Sequence, residues 1–194
     1  MTTALLLIDI QNDYFKNGRM VLENSDSAAL NAGRLLSFFR EHALPVFHVQ
    51  HLSLRQGATF FIPHTSGAEF YKGVLPSEGE TVVQKHFPNS FRETTLSDHL
   101  LHSKVERLVV AGMMTHMCVD TTVRAAVDLG FQCIIAHDAC ATRDLVLGDR
   151  RVVAADVQTA FMAALDGVFG KVLTVDEIIL LLNDAFGMKT PSSS

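Results

Sequence analysis

Ala4-Leu-Leu-Leu-Ile-Asp-Ile10 is the stretch that decides the fold. It is short, apolar and almost uninterrupted, which is the signature of a strand buried on both faces rather than on one. The apolar run Ala4–Ile8 is cut by Asp9. It falls well short of the roughly 18–20 residues that a membrane span requires. It also lacks the basic flank of a signal peptide.

Working outward from this strand, strand-like and helix-like segments alternate. Asp26 or Ser27 is placed to cap a helix in which Leu30, Leu35, Phe38 and Phe39 recur near helical spacing, and Leu44-Pro45 closes it. Val46–His51 reads as a second strand, Thr81–Lys85 as a third, Arg107–Gly112 as a fourth, Phe131–Ala136 as a fifth and Lys171–Leu173 as a sixth. Helices are expected over Phe91–Leu101 and over Cys118–Leu129, where Val119, Val123 and Val127 share a face before Gly130. Asp149 is expected to cap a helix carrying Val153, Val157 and Phe161, and Thr174-Val-Asp-Glu177 is a capping box ahead of Ile178. Leu52–Gly79 has no clean periodicity, and a connection of that length is usually functional.

Short apolar strands separated by helices predict an α/β fold: a three-layer α/β/α sandwich around a six-stranded, mainly parallel sheet. One domain is expected over residues 1–188, with a frayed tail over 189–194. The chain has 194 residues and a formal net charge of −5, with 48% hydrophobic residues and three Cys. That apolar fraction excludes disorder, and a chain of this size buries roughly 70% of its unfolded surface without disulfides. An odd, unpaired cysteine count points to a reducing, cytoplasmic setting. No Lys/Arg cluster is present to meet a phosphate backbone, so nucleic acid is not expected as partner, nor is a membrane. No Gly-rich phosphate loop follows the first strand, which disfavours a nucleotide-binding domain.

In a doubly wound sheet, chemistry sits beyond the carboxyl ends of the strands. Three reactive groups fall there: Asp9 after the first strand, Lys85 at the end of the third and Cys118 just past the fourth. Singly, each has a plain reading, as a salt-bridge acceptor, a solvated strand end and a small buried apolar residue. Together they are what a cysteine nucleophile needs. A helix N-terminus and a nearby ammonium favour the thiolate, and a carboxylate can take the thiol proton and return it to a leaving amine. Cys133 reads as core and Cys140 as rim. Gln11 and Asp13 read as residues that orient the Asp9 turn.

The sequence resembles the isochorismatase-like cysteine hydrolases, a family that includes nicotinamidases and N-carbamoylsarcosine amidase. The resemblance rests on Leu6-Leu-Ile-Asp9-Ile-Gln11-Asn-Asp13, Lys85-His-Phe-Pro-Asn-Ser90-Phe91, Gly112-x-x-Thr115-x-x-Cys118-Val119 and Asp138-Ala139. It implies an Asp9, Lys85 and Cys118 triad, a cis peptide at Met113–Met114 and an oxyanion hole formed by the N–H groups of Met114 and Cys118. It also implies hydrolysis of a C–N bond in a small amide or carbamoyl compound through a thioester, with no cofactor, in a homo-oligomer. A vinyl-ether hydrolase of the isochorismatase type and a non-catalytic binding member are the alternatives. Nicotinamidases of the family carry an Asp-x-His metal set after the second strand. Gln50 and Leu52 stand at those positions here, so no metal is expected, although His48, His51 and His64 remain potential ligands. Phe15, Phe60, Phe61 and Arg143 are expected around the substrate, with Arg143 placed to hold a carboxylate.

Overall fold

A computed structural model describes residues 1–185. The sheet strands are β1 (Thr2–Ile8), β2 (Val46–His51), β3 (Thr81–Lys85), β4 (Val105–Met113), β5 (Gln132–Ala141) and β8 (Lys171–Leu173). They lie in the order β3-β2-β1-β4-β5-β8, and every pairing is parallel. The helices are α1 (Ser25–Glu41), α2 (Leu96–His102), α3 (Asp120–Asp128), α4 (Ala154–Leu165) and α5 (Val175–Ala185).

The unbroken apolar run of β1 is explained by its two faces. Leu5 and Leu7 join a core with Leu35, Phe39 and Ile178 of α1 and α5. Ala4, Leu6 and Ile8 point the other way, into a core with Leu100, Val123 and Leu165 of α2, α3 and α4. Each fully buried Leu or Ile contributes roughly 1.5–3 kcal/mol, so both layers are held chiefly through the central strands.

Several boundaries differ from those read in the sequence. Helix α1 starts at Ser25 behind a left-handed Asn24, and neither Asp26 nor Ser27 caps it: Asp26 accepts the Tyr71 hydroxyl and Ser27 donates to the Asn24 carbonyl. Leu30 is exposed, not part of the core stripe. Helix α2 begins at Leu96, five residues later than expected, because the preceding residues bend over Lys85 and Thr122. Asp149 caps nothing and lies in the turn of an unforeseen hairpin, β6 (Leu145–Leu147) with β7 (Arg150–Val152). Helix α4 follows the hairpin, and its first N–H, at Ala154, donates to Asp144 Oδ1 at 2.7 Å. The Thr174/Glu177 capping box forms as read, with Thr174 N–H on Glu177 Oε2 at 2.8 Å and Glu177 N–H on Thr174 Oγ1 at 3.2 Å. The long connection between β2 and β3 contains two single 3-10 turns, Ser66–Ala68 and Lys72–Val74. The expected tail over 189–194 lies outside the described residues.

Strand order reverses between β1 and β4, which opens a crevice at their carboxyl ends. Gly112 allows the strands to close there. Its φ is 145°, and a Cβ would sit 2.1 Å from the Ile8 carbonyl oxygen, so only glycine fits this approach.

Candidate active site

Asp9 immediately follows β1 in a left-handed conformation (φ 52°), which Asp tolerates better than most residues. Its N–H donates to the Val49 carbonyl at 3.0 Å, and its carbonyl accepts the Gln11 N–H at 3.0 Å. Gln11 then ties the turn to the end of β2. Its Nε2 donates to the carbonyls of His51 (2.9 Å) and Ala68 (2.7 Å), and its Oε1 accepts the His51 N–H at 2.7 Å. Asp13 braces the long connection, since its Oδ2 accepts the Phe61 N–H at 2.6 Å. Gly67 packs so close to that carboxylate that a Cβ would lie 2.3 Å from it. Gln11 orients the turn, as expected, whereas Asp13 fastens the residues at Arg19 and Phe61.

Lys85 is the last residue of β3 and is fully buried. Its Nζ lies 2.7 Å from Asp9 Oδ2 and donates to His51 Nδ1 (3.1 Å) and to the carbonyls of Phe87 (3.1 Å) and Pro88 (3.3 Å). Burial works against the ammonium, but Asp9 and Cys118 beside it outweigh that and hold its pKa above the ordinary Lys value. Asp9 is fully buried, and its carboxylate is held by the Lys85 ammonium at 2.7 Å.

Cys118 lies in a π turn, Thr115–Val119, that leads into α3. The sequence suggested a regular helix starting at Cys118. Instead the Met114 carbonyl receives both the Met117 and the Val119 N–H, and the turn widens. The Met113–Met114 peptide is cis. Thr115 is pinned by Gln158 of α4 at 2.6 Å. One turn beyond Cys118, the Thr122 hydroxyl donates to Ser90 Oγ at 2.8 Å and accepts the Ser90 N–H at 3.0 Å. This couples α3 to the loop whose carbonyls hold Lys85.

Ligand atoms of Asp9, His51 and Cys118 all lie within 4.8 Å of one another. The sequence suggests a thiolate favoured by a helix N-terminus and an ammonium, whereas the folded chain holds the thiol above its usual pKa. Burial first, then the neighbouring Asp9 charge, push it up, with Lys85 acting in the opposite direction. The resting group is therefore a thiol beside the Asp9 carboxylate. Cys133 is core, as expected. Cys140 is buried in β5 rather than at the rim, and burial pushes both thiols up to about 12.

Tyr14 is not singled out by the sequence, and His51 is singled out there only as a potential metal ligand, not as a neighbour of Lys85 and Asp9. Tyr14 is buried and stacks edge-on against Phe61 at 4.6 Å. Burial, Cys118 and Asp9 hold its phenol protonated. Its only sequence signal was its place in the turn that begins at Asp9. His51 pairs in register with Lys85. Burial, Lys85 and His86 lower its pKa to about 4, against the pull of Asp9.

A cavity of about 670 Å³ adjoins these groups. His51, Phe60, Pro88, Met114, Met117 and Arg143 contribute to its lining. Two pocket expectations fail: Phe61 is buried in the core, and Phe15 is buried in a stack on Tyr71 at 3.6 Å. Neither lines the cavity, because both rings pack against neighbouring aromatic rings, Phe15 on Tyr71 and Phe61 on Tyr14.

The histidines do not converge as metal ligands. His48 is buried against Glu80 at 2.7 Å, and His64 is exposed. Gln50, at the expected Asp position, donates to the Ala68 carbonyl at 3.0 Å. The Asp9, His51 and Cys118 cluster does not suit a cation either, since the Lys85 ammonium already stands against Asp9 and His51.

The arrangement is that of a doubly wound α/β protein with an acid, an amine and a thiol gathered at the switch point of its parallel sheet. The Isochorismatase domain model matches residues 3–177, and the chain belongs to the isochorismatase family of hydrolases. It is 53% identical over 179 residues to the uncharacterized isochorismatase family protein YddQ of Bacillus subtilis, covering 92% of this chain and 99% of that protein. A crystal structure from Oleispira antarctica, assigned as an isochorismatase hydrolase, superposes with a TM-score of 0.89 at 47% identity, covering 92% and 96% of the two chains. A cysteine hydrolase from Pseudomonas syringae superposes with a TM-score of 0.88 at 25% identity, covering 94% and 93%. More distant relatives diverge in activity. They include a streptothricin hydrolase of Streptomyces noursei, 34% identical over 73% of this chain and 55% of that protein. An Arabidopsis thaliana nicotinamidase relative described as inactive is 31% identical over 66% of this chain and 74% of its own length.

Proposed function

We propose that the chain is a cysteine hydrolase that cleaves the C–N bond of a small amide or carbamoyl compound through a thioester on Cys118. The observation that carries this reading is the buried Asp9 carboxylate. It is neutralised by Lys85 at 2.7 Å and lies within 4.8 Å of the Cys118 sulfur. A carboxylate so placed is within reach of the thiol proton.

In this reading Asp9 takes the thiol proton as the sulfur attacks the carbonyl carbon. The C–S bond forms, and the carbonyl electrons move onto oxygen. The N–H groups of Met114 and Cys118 stabilise that oxyanion, a donor of this kind being worth about 3–4 kcal/mol. Collapse breaks the C–N bond, and the amine leaves with the proton from Asp9. Water then attacks the thioester and gives its proton to Asp9, and the C–S bond breaks as Asp9 returns that proton to sulfur, releasing the acid and restoring the thiol. The sequence consumes only water.

The cavity lining includes Arg55 and Arg143 and no carboxylate. This favours a substrate with an anionic group, held by Arg143 against the ring of Phe60. In the same reading the enzyme is a cytoplasmic homo-oligomer acting on a small molecule, without nucleic-acid or membrane partners. The exposed Val146 and Leu147 of the hairpin offer apolar contact surface. Ser53, Ala58 and Phe60 line the cavity, which supports a site walled by the connection from Leu52 of the same chain.

Trapping tests the reading. Intact mass measured after exposure to a library of small amides is expected to show an acyl adduct on Cys118 and none on the Cys118→Ala protein. Undiminished turnover by Cys118→Ala would overturn it.

A further inference from the structure

His51 has no part in the mechanism above, yet it is among the most constrained residues of the site. Its N–H and its carbonyl are both clamped by the Gln11 side chain, at 2.7 and 2.9 Å. Its ring stands beside Phe61 with centroids 5.8 Å apart. Its Nδ1 lies 3.1 Å from Lys85 Nζ. An ammonium only donates, so Nδ1 must accept. The imidazole is neutral at pH 7, because burial first and Lys85 after it depress its pKa to about 4. A neutral ring whose Nδ1 accepts carries its single proton on Nε2. Among the described residues the ring makes no hydrogen bond beyond the one at Nδ1, and His51 lines the cavity.

We infer that His51 is a substrate-positioning donor: Lys85 fixes its tautomer so that the Nε2–H presents one oriented hydrogen bond to an acceptor atom of the substrate bound beside Cys118. Lys85 then has two separate effects. It balances the Asp9 charge, and through the opposite face of the His51 ring it sets which polar atom the cavity offers. The ligand this selects carries an acceptor oxygen or nitrogen near the carbon attacked by sulfur. The role rests on Cys118 being the nucleophile, but its readouts do not require turnover.

Two measurements on the full chain test it. Long-range 1H–15N correlation on histidine-labelled protein at pH 7 is expected to show His51 as a single Nε2–H tautomer, and the lock is expected to loosen in Lys85→Met. Alkylation of Cys118 is then followed with iodoacetamide, which has a carbonyl acceptor, and with methyl iodide, which has none. The ratio of the two rates is expected to fall about three- to tenfold in His51→Leu, the loss of one hydrogen bond. In His51→Gln, which retains a donor and an acceptor, the ratio is expected to recover. A purely structural role would change both rates together. An Nδ1–H tautomer, an imidazolium at pH 7, or an unchanged ratio in His51→Leu would overturn the assignment. Failure of the thioester reading would look different: no acyl adduct on Cys118, with both His51 readouts intact.

Discussion

Lys85 Nζ stands 2.7 Å from Asp9 Oδ2, and neither side chain has exposed surface. The two residues are 76 positions apart in sequence (85 − 9) and reach each other because β3 and β1 flank β2 in one parallel sheet. Taking two charges out of water is costly, and the pair persists because each is the other's main compensation.

Breaking the pair from one side leaves a buried charge without its partner. Asp9→Asn and Lys85→Met are each expected to cost about 3–5 kcal/mol in urea denaturation. The double variant is expected to lose clearly less than the sum of the two. Strict additivity would mean that the groups do not compensate each other.

The three thiols are expected to separate by function. Cys118→Ala should lower turnover at least about a thousandfold while the fold is retained, as for removal of a covalent nucleophile. Cys133→Ala and Cys140→Ala should leave turnover within about twofold and cost roughly 1 kcal/mol of stability each, because their thiols pack in the core and are held protonated near 12. Kinetics and thermal melts on the same preparations check both halves.

Arg143 is expected to act on binding more than on chemistry. Arg143→Ala should raise KM about tenfold or more for an anionic amide and leave its kcat little changed. A neutral amide of the same size should be nearly indifferent. Equal losses on both would remove Arg143 from substrate recognition.

The acid limb of stability should carry the signature of His51. Its pKa is about 4 in the folded chain against 6.5 for the free side chain. Between those values the unfolded chain binds the extra proton. The contribution is therefore complete above pH 6.5 and is lost as pH falls toward 4, amounting to about 2–3 kcal/mol. His51→Gln is expected to flatten that part of the pH profile, measured by denaturant midpoints at constant ionic strength.

Much of the frame was legible because it depends on local pattern. The bounds of β2, β3 and β8 and the Thr174/Glu177 cap were read directly, since period, composition and spacing are properties of a few adjacent residues. Asp9, Lys85 and Cys118 were legible because strand ends are, and strand ends in a parallel sheet share an edge. The misses have a common cause. The delayed start of α2, the hairpin after β5 and the π turn at Cys118 are set by bonds from Thr122, Asp144 and Gln158, residues far away in the chain or beyond the element they shape.

The sequence by itself determined the three-layer α/β frame, the strands whose ends carry chemistry, and the acid, amine and thiol themselves. The tertiary structure decided how those groups behave. The Cys118 pKa is raised because burial and Asp9 outweigh Lys85, a balance of distances that no spacing encodes. The burial of Phe15 and Phe61, and the placing of Tyr14 and His51 against the reactive groups, likewise come from contacts between residues distant in sequence. Solvation and Coulomb terms depend on separation in space, and the fold, not the order of residues, sets that separation.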